Sequence, residues 1–139
     1  LMARGLAEGA EIYEPDGQLP ARGCFLKPAL VTNVSPASSL VEEEIFGPVL
    51  VAMSFRTPEE AVALANASSM GLGGSVWGEV QAATALAPRL ECGTVWVNGH
   101  AEVLPHCPFG GSKMSGVGVE FGLDGLLEYT QPQLLNING

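Results

Sequence analysis

The chain has 139 residues, 47% hydrophobic and 15% charged, a balance that can bury one core and that excludes a disordered tail. Six Lys and Arg against 15 Asp and Glu leave a formal net charge of -9, which repels phosphate and excludes nucleic acid and anionic membrane as natural partners. The longest apolar run, residues 49–53, falls far short of the ~18 residues of a membrane span, and the three cysteines form no C-x-x-C pair, so a reducing, cytoplasmic setting is expected.

Residues 1–7 read as helix with no capping signal ahead of them, which predicts polypeptide upstream. Glu11-Ile12-Tyr13, Cys24-Phe25-Leu26 and Ala29-Leu30-Val31 read as short strands around the turn Pro15-Asp16-Gly17, and residues 33–40 as loop. The run 49–55 lacks polar alternation and predicts a strand buried on both faces of a parallel sheet. Thr57-Pro58-Glu59-Glu60 is a helix start: Thr57 can cap, Pro58 presets the first turn, and Glu60 can reach back as a capping-box partner. Ala61, Val62, Leu64 and Ala65 give that helix an apolar face. Gly74-Ser75-Val76-Trp77 follows as a buried strand, then a helix over 80–90 interrupted by Pro88, then a strand over 93–98. Strand, helix, strand, helix, strand in succession predicts right-handed crossovers in a parallel α/β sheet. Beyond Asn98 come a loop to Pro108, a glycine-rich stretch to Gly118, a short helix over 123–127, and the extended run Leu134-Leu135-Asn136-Ile137 with no local partner.

Several motifs dissolve on inspection. Gly116-Val117-Gly118-Val119-Glu120-Phe121-Gly122 lacks the third glycine and the preceding strand of a dinucleotide fingerprint, and Ser112 stands where a P-loop before Lys113 needs glycine. His100 and His106 keep a permitted zinc spacing, but no cysteine knuckle accompanies them, so no metal site is expected. Nothing beside Cys24 would activate a nucleophile and Cys107 has only its sequence neighbour His106, so both are expected to be inert. Glu44 differs, because a carboxylate ahead of Ile45-Phe46-Gly47-Pro48 stands at the mouth of a strand. It can accept from ribose hydroxyls while a nearby aromatic offers a flat face to a planar ring, although a solvated acidic stretch over 42–44 would read the same way.

Together these residues resemble a known family. Glu43-Glu44-Ile45-Phe46-Gly47-Pro48-Val49 is similar to a signature heptad of the aldehyde dehydrogenases. Residues 66–71, Gly93-Thr94-Val95-Trp96-Val97-Asn98, Pro108-Phe109-Gly110-Gly111-Ser112-Lys113-Met114-Ser115-Gly116 and Glu128-Tyr129-Thr130 follow in the family's order. The resemblance implies an α/β fold: part of a parallel, Rossmann-like catalytic-domain sheet with crossover helices over 1–127, and an oligomerisation strand over 128–139 that adds to a neighbouring subunit's sheet. It implies an oxidoreductase whose cysteine thiolate attacks an aldehyde, whose cofactor is NAD or NADP, and whose general-base glutamate releases a carboxylic acid from a thioester.

The family's catalytic cysteine and glutamate lie upstream of the matched region, so no catalytic residue is expected in this chain, and alone it should be inactive. By the same resemblance Glu44 holds the nicotinamide ribose and Phe46 lies beside the nicotinamide. Ala101, Val103 and Phe109 line the aldehyde pocket, with the loop 99–107 setting substrate choice and Asn98 as a structural hydrogen-bonder beneath it. Val119 departs from the arginine that commonly precedes Glu120. Expected partners are an aldehyde, the missing N-terminal part of the same chain, and further copies in a homodimer or homotetramer. The alternative is a free-standing, non-catalytic oligomerisation module derived from that family.

Overall fold

A computed structural model describes all 139 residues, which divide into two compact units, Leu1–Leu64 and Ala65–Gly139. The first unit runs α1 (Met2–Ala7), β1 (Glu11–Tyr13), β2 (Ala29–Thr32), α2 (Ser39–Glu42), β3 (Val49–Val51) and most of α3 (Pro58–Asn66). In its three-stranded sheet β2 is central, with Ile12 of antiparallel β1 opposite Val31, and Val51 of parallel β3 opposite Val31 on the other side. Alternation along β2 turns Ala29 and Val31 inward and Leu30 outward, the period of two that a half-covered sheet imposes. Val31 is wholly buried and forms a core with Ala10 and Leu40, against which Ile12, Ile45, Val49 and Val51 pack.

Three expectations change here. The strand over 49–55 shortens to β3 and is not buried on both faces: as an edge strand paired only with β2, it leaves Leu50 67% exposed. Cys24-Phe25-Leu26 forms no strand, since β1 and β3 already fill both ladders of β2, and Phe25 and Leu26 stay exposed. Residues 33–40 are not all loop, because the Ser38 hydroxyl accepts from the Leu40 N–H at 3.3 Å and caps α2. The start of α3 is capped as read, with Glu60 N–H donating to Thr57 Oγ1 at 3.2 Å. The Glu60 carboxylate accepts from Arg56 N–H at 2.7 Å, one residue before the cap itself.

The second unit carries β4 (Met70–Gly71), β5 (Gly73–Val76), α4 (Val80–Leu86), a 3-10 turn (Ala87–Arg89) and β6 (Thr94–Val97). After these come β7 (Phe109–Gly110), β8 (Ser112–Lys113), β9 (Val119–Glu120) and α5 (Gly122–Leu127). β5 and β6 pair in parallel from Gly73 opposite Thr94 to Val76 opposite Val97, joined by α4. The Glu79 carboxylate starts α4 by accepting from Gln81 and Ala82 N–H at 3.0 and 2.9 Å, and these bonds hold its pKa below the ordinary glutamate range. Pro88 has no N–H to continue the ladder, so the helix expected over 80–90 ends as the 3-10 turn.

The three strands expected in one sheet therefore do not share one: β3 pairs with β2, while β5 and β6 form a separate pair. Short antiparallel pairs β4–β8 and β7–β9 complete the unit. Lys113 ties it internally, its Nζ donating to the Asn66 and Ser68 carbonyls at 2.7 and 3.1 Å and lying 3.0 Å from Glu91. After α5 no regular structure follows, and Leu134, Leu135 and Ile137 are exposed. No helix is long and apolar enough to cross a membrane.

Candidate functional site

In the first unit the site begins with the cap of α2. The Ser38 hydroxyl donates to Glu8 at 2.5 Å, and this bond holds the Glu8 carboxyl below its ordinary range. α2 then presents the acidic trio with three different fates. Glu42 stays in the helix, Glu43 turns extended at its end and pairs with Arg4, and Glu44 makes no bond within the chain. Ile45 turns into the core and anchors the segment, while its neighbours Glu44 and Phe46 are exposed, Phe46 by 96%. A tight turn follows, with Gly47 N–H donating to the Ile45 carbonyl at 2.8 Å. The result is an unpartnered carboxylate and a bare aromatic ring, both held close to one anchoring side chain at the amino end of β3.

Beyond that turn the backbone enters an open apolar hollow of about 550 Å³, lined among others by Tyr13, Pro28, Leu30, Pro48 and Leu50. Tyr13, Leu30 and Leu50 occupy one cross-strand row on the uncovered face of the sheet. A carboxylate with free acceptor sites binds hydroxyl groups, and an uncovered ring beside an apolar shelf stacks planar groups.

In the second unit Phe109 and the loop that carries Ala101 and Val103 both meet Trp96. Phe109 on β7 lies with its ring 6.5 Å from that of Trp96 on β6, tilted by 41°. The Trp96 indole N–H donates to the Glu102 carbonyl at 2.8 Å, which fixes the backbone between Ala101 and Val103. Ala101 holds φ at 58°, a left-handed conformation unusual for a residue with a Cβ, and Asn98 at the loop's start holds 53°. Asn98 clasps Gly78 in both directions, accepting from its N–H at 2.8 Å and donating to its carbonyl at 2.9 Å, as its expected structural role requires.

His100 and Glu102 are polar residues of this loop. His100 meets Trp96 edge-on at 5.3 Å, and Glu102 contributes through its carbonyl rather than its side chain. Trp96 itself went unremarked as a site residue, because no sequence signal pairs an indole N–H with a loop carbonyl. Cys24 and Cys107 are free and exposed, Cys92 is free and half-buried, and no three His, Cys, Asp or Glu side chains converge. Glu44 and Phe46 belong to the first unit, and Ala101, Val103 and Phe109 to the second.

A family model described as the aldehyde dehydrogenase family matches residues 1–135. A putative aldehyde dehydrogenase, FUS7 of Gibberella moniliformis, is 41% identical over 131 residues, covering 94% of this chain and 28% of that protein. A succinate-semialdehyde dehydrogenase [NADP(+)] of Deinococcus radiodurans is 44% identical over 121 residues, covering 86% of this chain and 25% of that protein. Among solved structures, betaine aldehyde dehydrogenase from Staphylococcus aureus in complex with NAD+ superposes with a TM-score of 0.86 at 39% identity, covering 97% of this chain and 30% of that one. The chain thus spans between a quarter and a third of the length of these relatives.

Proposed function

Because the chain belongs to the aldehyde dehydrogenase family, we propose that it is the C-terminal portion of a cytoplasmic NAD(P)-dependent enzyme that oxidises an aldehyde to a carboxylic acid. In this reading Glu44 accepts hydrogen bonds from the nicotinamide ribose and Phe46 lies against the nicotinamide. The observation that carries it is the state of these two residues, a carboxylate with no partner in the chain and a ring 96% exposed, both steadied by the half-buried Ile45 packed on the core. Residues such as these fit a nicotinamide nucleotide, which offers paired hydroxyls and a planar ring. Ala101, Val103 and Phe109 shape the pocket that receives the aldehyde.

The reaction's thiolate and general base come from polypeptide outside these residues, so the 139-residue chain alone turns over nothing. A thiohemiacetal formed on that cysteine becomes a thioester and is hydrolysed to the acid, and the nicotinamide, when bound, accepts the hydride. What this chain adds is orientation, since hydride transfer depends on a ring held at one distance and angle. The parallel pairs β2–β3 and β5–β6, which stand in separate sheets, are each the kind of pairing that a Rossmann-like catalytic domain over residues 1–127 contains. The exposed, unpaired run near Leu134 supports a strand over 128–139 that joins another copy in a dimer or tetramer.

The test is Glu44→Gln in the full-length protein that carries this segment. Hydrogen bonds to a charged acceptor contribute about 1.5–3 kcal/mol, so the apparent KM for the nucleotide should rise about tenfold or more, and turnover should fall. Thermal stability should not change, because Glu44 has no internal partner to lose. Unaltered steady-state kinetics would refute the ribose role.

A further inference from the structure

The half-buried indole of Trp96 meets three residues around its edge and one beneath it. Its N–H donates to the Glu102 carbonyl at 2.8 Å, His100 meets it edge-on at 5.3 Å, and Phe109 lies tilted at 6.5 Å. Beneath it runs Gly73 of β5, where a Cβ would stand 2.7 Å from the indole Cζ3 and 3.0 Å from Cη2. Only a residue without a side chain leaves the ring this position on the sheet. The loop that starts at Asn98 therefore folds back onto a rigid six-membered and five-membered ring system rather than into solvent, and the left-handed Ala101 sits inside the fold-back. Strain of this kind persists only where neighbouring bonds over-determine the backbone, and the Trp96–Glu102 bond is the neighbour that does so here.

We propose that Trp96 is the positioning residue of the loop 99–107, and that through it the Gly73–Trp96 contact sets the shape selectivity of the aldehyde pocket. Trp96 need not touch substrate. It fixes where Ala101 and Val103 stand relative to Phe109, so the width between them follows the seat of the indole on Gly73. This deepens the proposed function and rests on its reading of those three residues as pocket walls.

Two variants of the full-length protein separate the parts. Trp96→Phe keeps an aromatic ring and removes the N–H; Gly73→Ala keeps Trp96 and its N–H but lifts the ring. Both are assayed with propanal and with phenylacetaldehyde, and by amide hydrogen exchange across 98–107, where the Asn98 and Cys107 N–H groups donate to the Val76 and Leu104 carbonyls. One neutral hydrogen bond contributes ~1 kcal/mol, so its loss in Trp96→Phe should change the ratio of kcat/KM for the two aldehydes about fivefold, and Gly73→Ala should change the same ratio by displacing the ring. The KM for the nucleotide should stay unchanged, because Glu44 and Phe46 are untouched. The same variants should lose exchange protection at Cys107, whose N–H donates to the Leu104 carbonyl at 3.0 Å. If selectivity and protection both stay at their wild-type values in both variants, the positioning role is overturned. If the wild type oxidises neither aldehyde, the proposed function is in doubt, and the exchange measurement alone still decides whether Trp96 holds the loop. Loss of protection with unchanged selectivity would overturn the pocket assignment and leave Trp96 a structural residue only.

Discussion

Gly93 offers the sharpest test of the packing behind the pocket. A Cβ built there would fall 1.7 Å from the Gly110 carbonyl oxygen and 2.7 Å from its carbon, both backbone atoms of β7 that cannot rotate away. Gly93 N–H also donates to the Gly71 carbonyl at 3.0 Å, so the residue is fixed from two sides. Overpacking a filled site costs about 1–3 kcal/mol, and a clash with backbone belongs at the upper end. For a chain of this length roughly 4 °C of melting temperature accompanies each kcal/mol, so Gly93→Ala should lower the midpoint by roughly 12 °C. Thermal and urea melts followed by far-ultraviolet circular dichroism measure it. Gly118→Ala is the control, since a Cβ there meets nothing within 4 Å, and it should be neutral or stabilise by up to ~1 kcal/mol through the unfolded state. Equal midpoints for the two variants would show that the close approach of Gly93 and Gly110 is not a constraint.

Other consequences follow from the caps and the chain end. Glu79 has a lowered pKa in the folded chain, so its stabilisation of α4 is complete above the ordinary glutamate value of ~4.3 and is lost as pH falls through the lowered one. The urea midpoint of Glu79→Gln should lie below that of the wild type at pH 7 and converge with it in acid; a difference that persists unchanged in acid would contradict the charged cap. Deleting residues 131–139 removes only exposed, irregular chain and should shift stability by less than ~0.5 kcal/mol. In the full-length protein it should weaken subunit association seen by sedimentation, and an intact assembly would dismiss the strand role.

Local chemistry was legible in the sequence where one residue type has one physical use. Thr57, Pro58 and Glu60 announce a helix start, and α3 begins there. The run from Gly73 to Val97 reads correctly as strand, helix and strand, with Pro88 shortening the helix, but β5 is partly exposed rather than the buried strand expected. Pairing was not legible. Nothing in Val49-Leu50-Val51 says that its partner is Ala29-Leu30-Val31 rather than a later strand, since backbone ladders carry no side-chain label. The two-residue strands β4, β7, β8 and β9 are too short to show any period. At the proposed site, Glu44 and Phe46 are candidates by residue type and place, whereas Trp96 bonds a carbonyl six residues away, and every residue has one of those.

The clasp between Asn98 and Gly78 has a chemical price in age. Asn98 precedes Gly99, a pairing whose small second residue leaves the amide carbon open to attack by the following nitrogen. The attack expels ammonia to leave a succinimide, and its hydrolysis to aspartate would keep an oxygen for the Gly78 N–H and set a second oxygen against the Gly78 carbonyl, where the amide nitrogen now donates. Half the clasp would then repel. The turn that launches the loop would loosen with storage and heat, slowly and irreversibly, without any change in the gene.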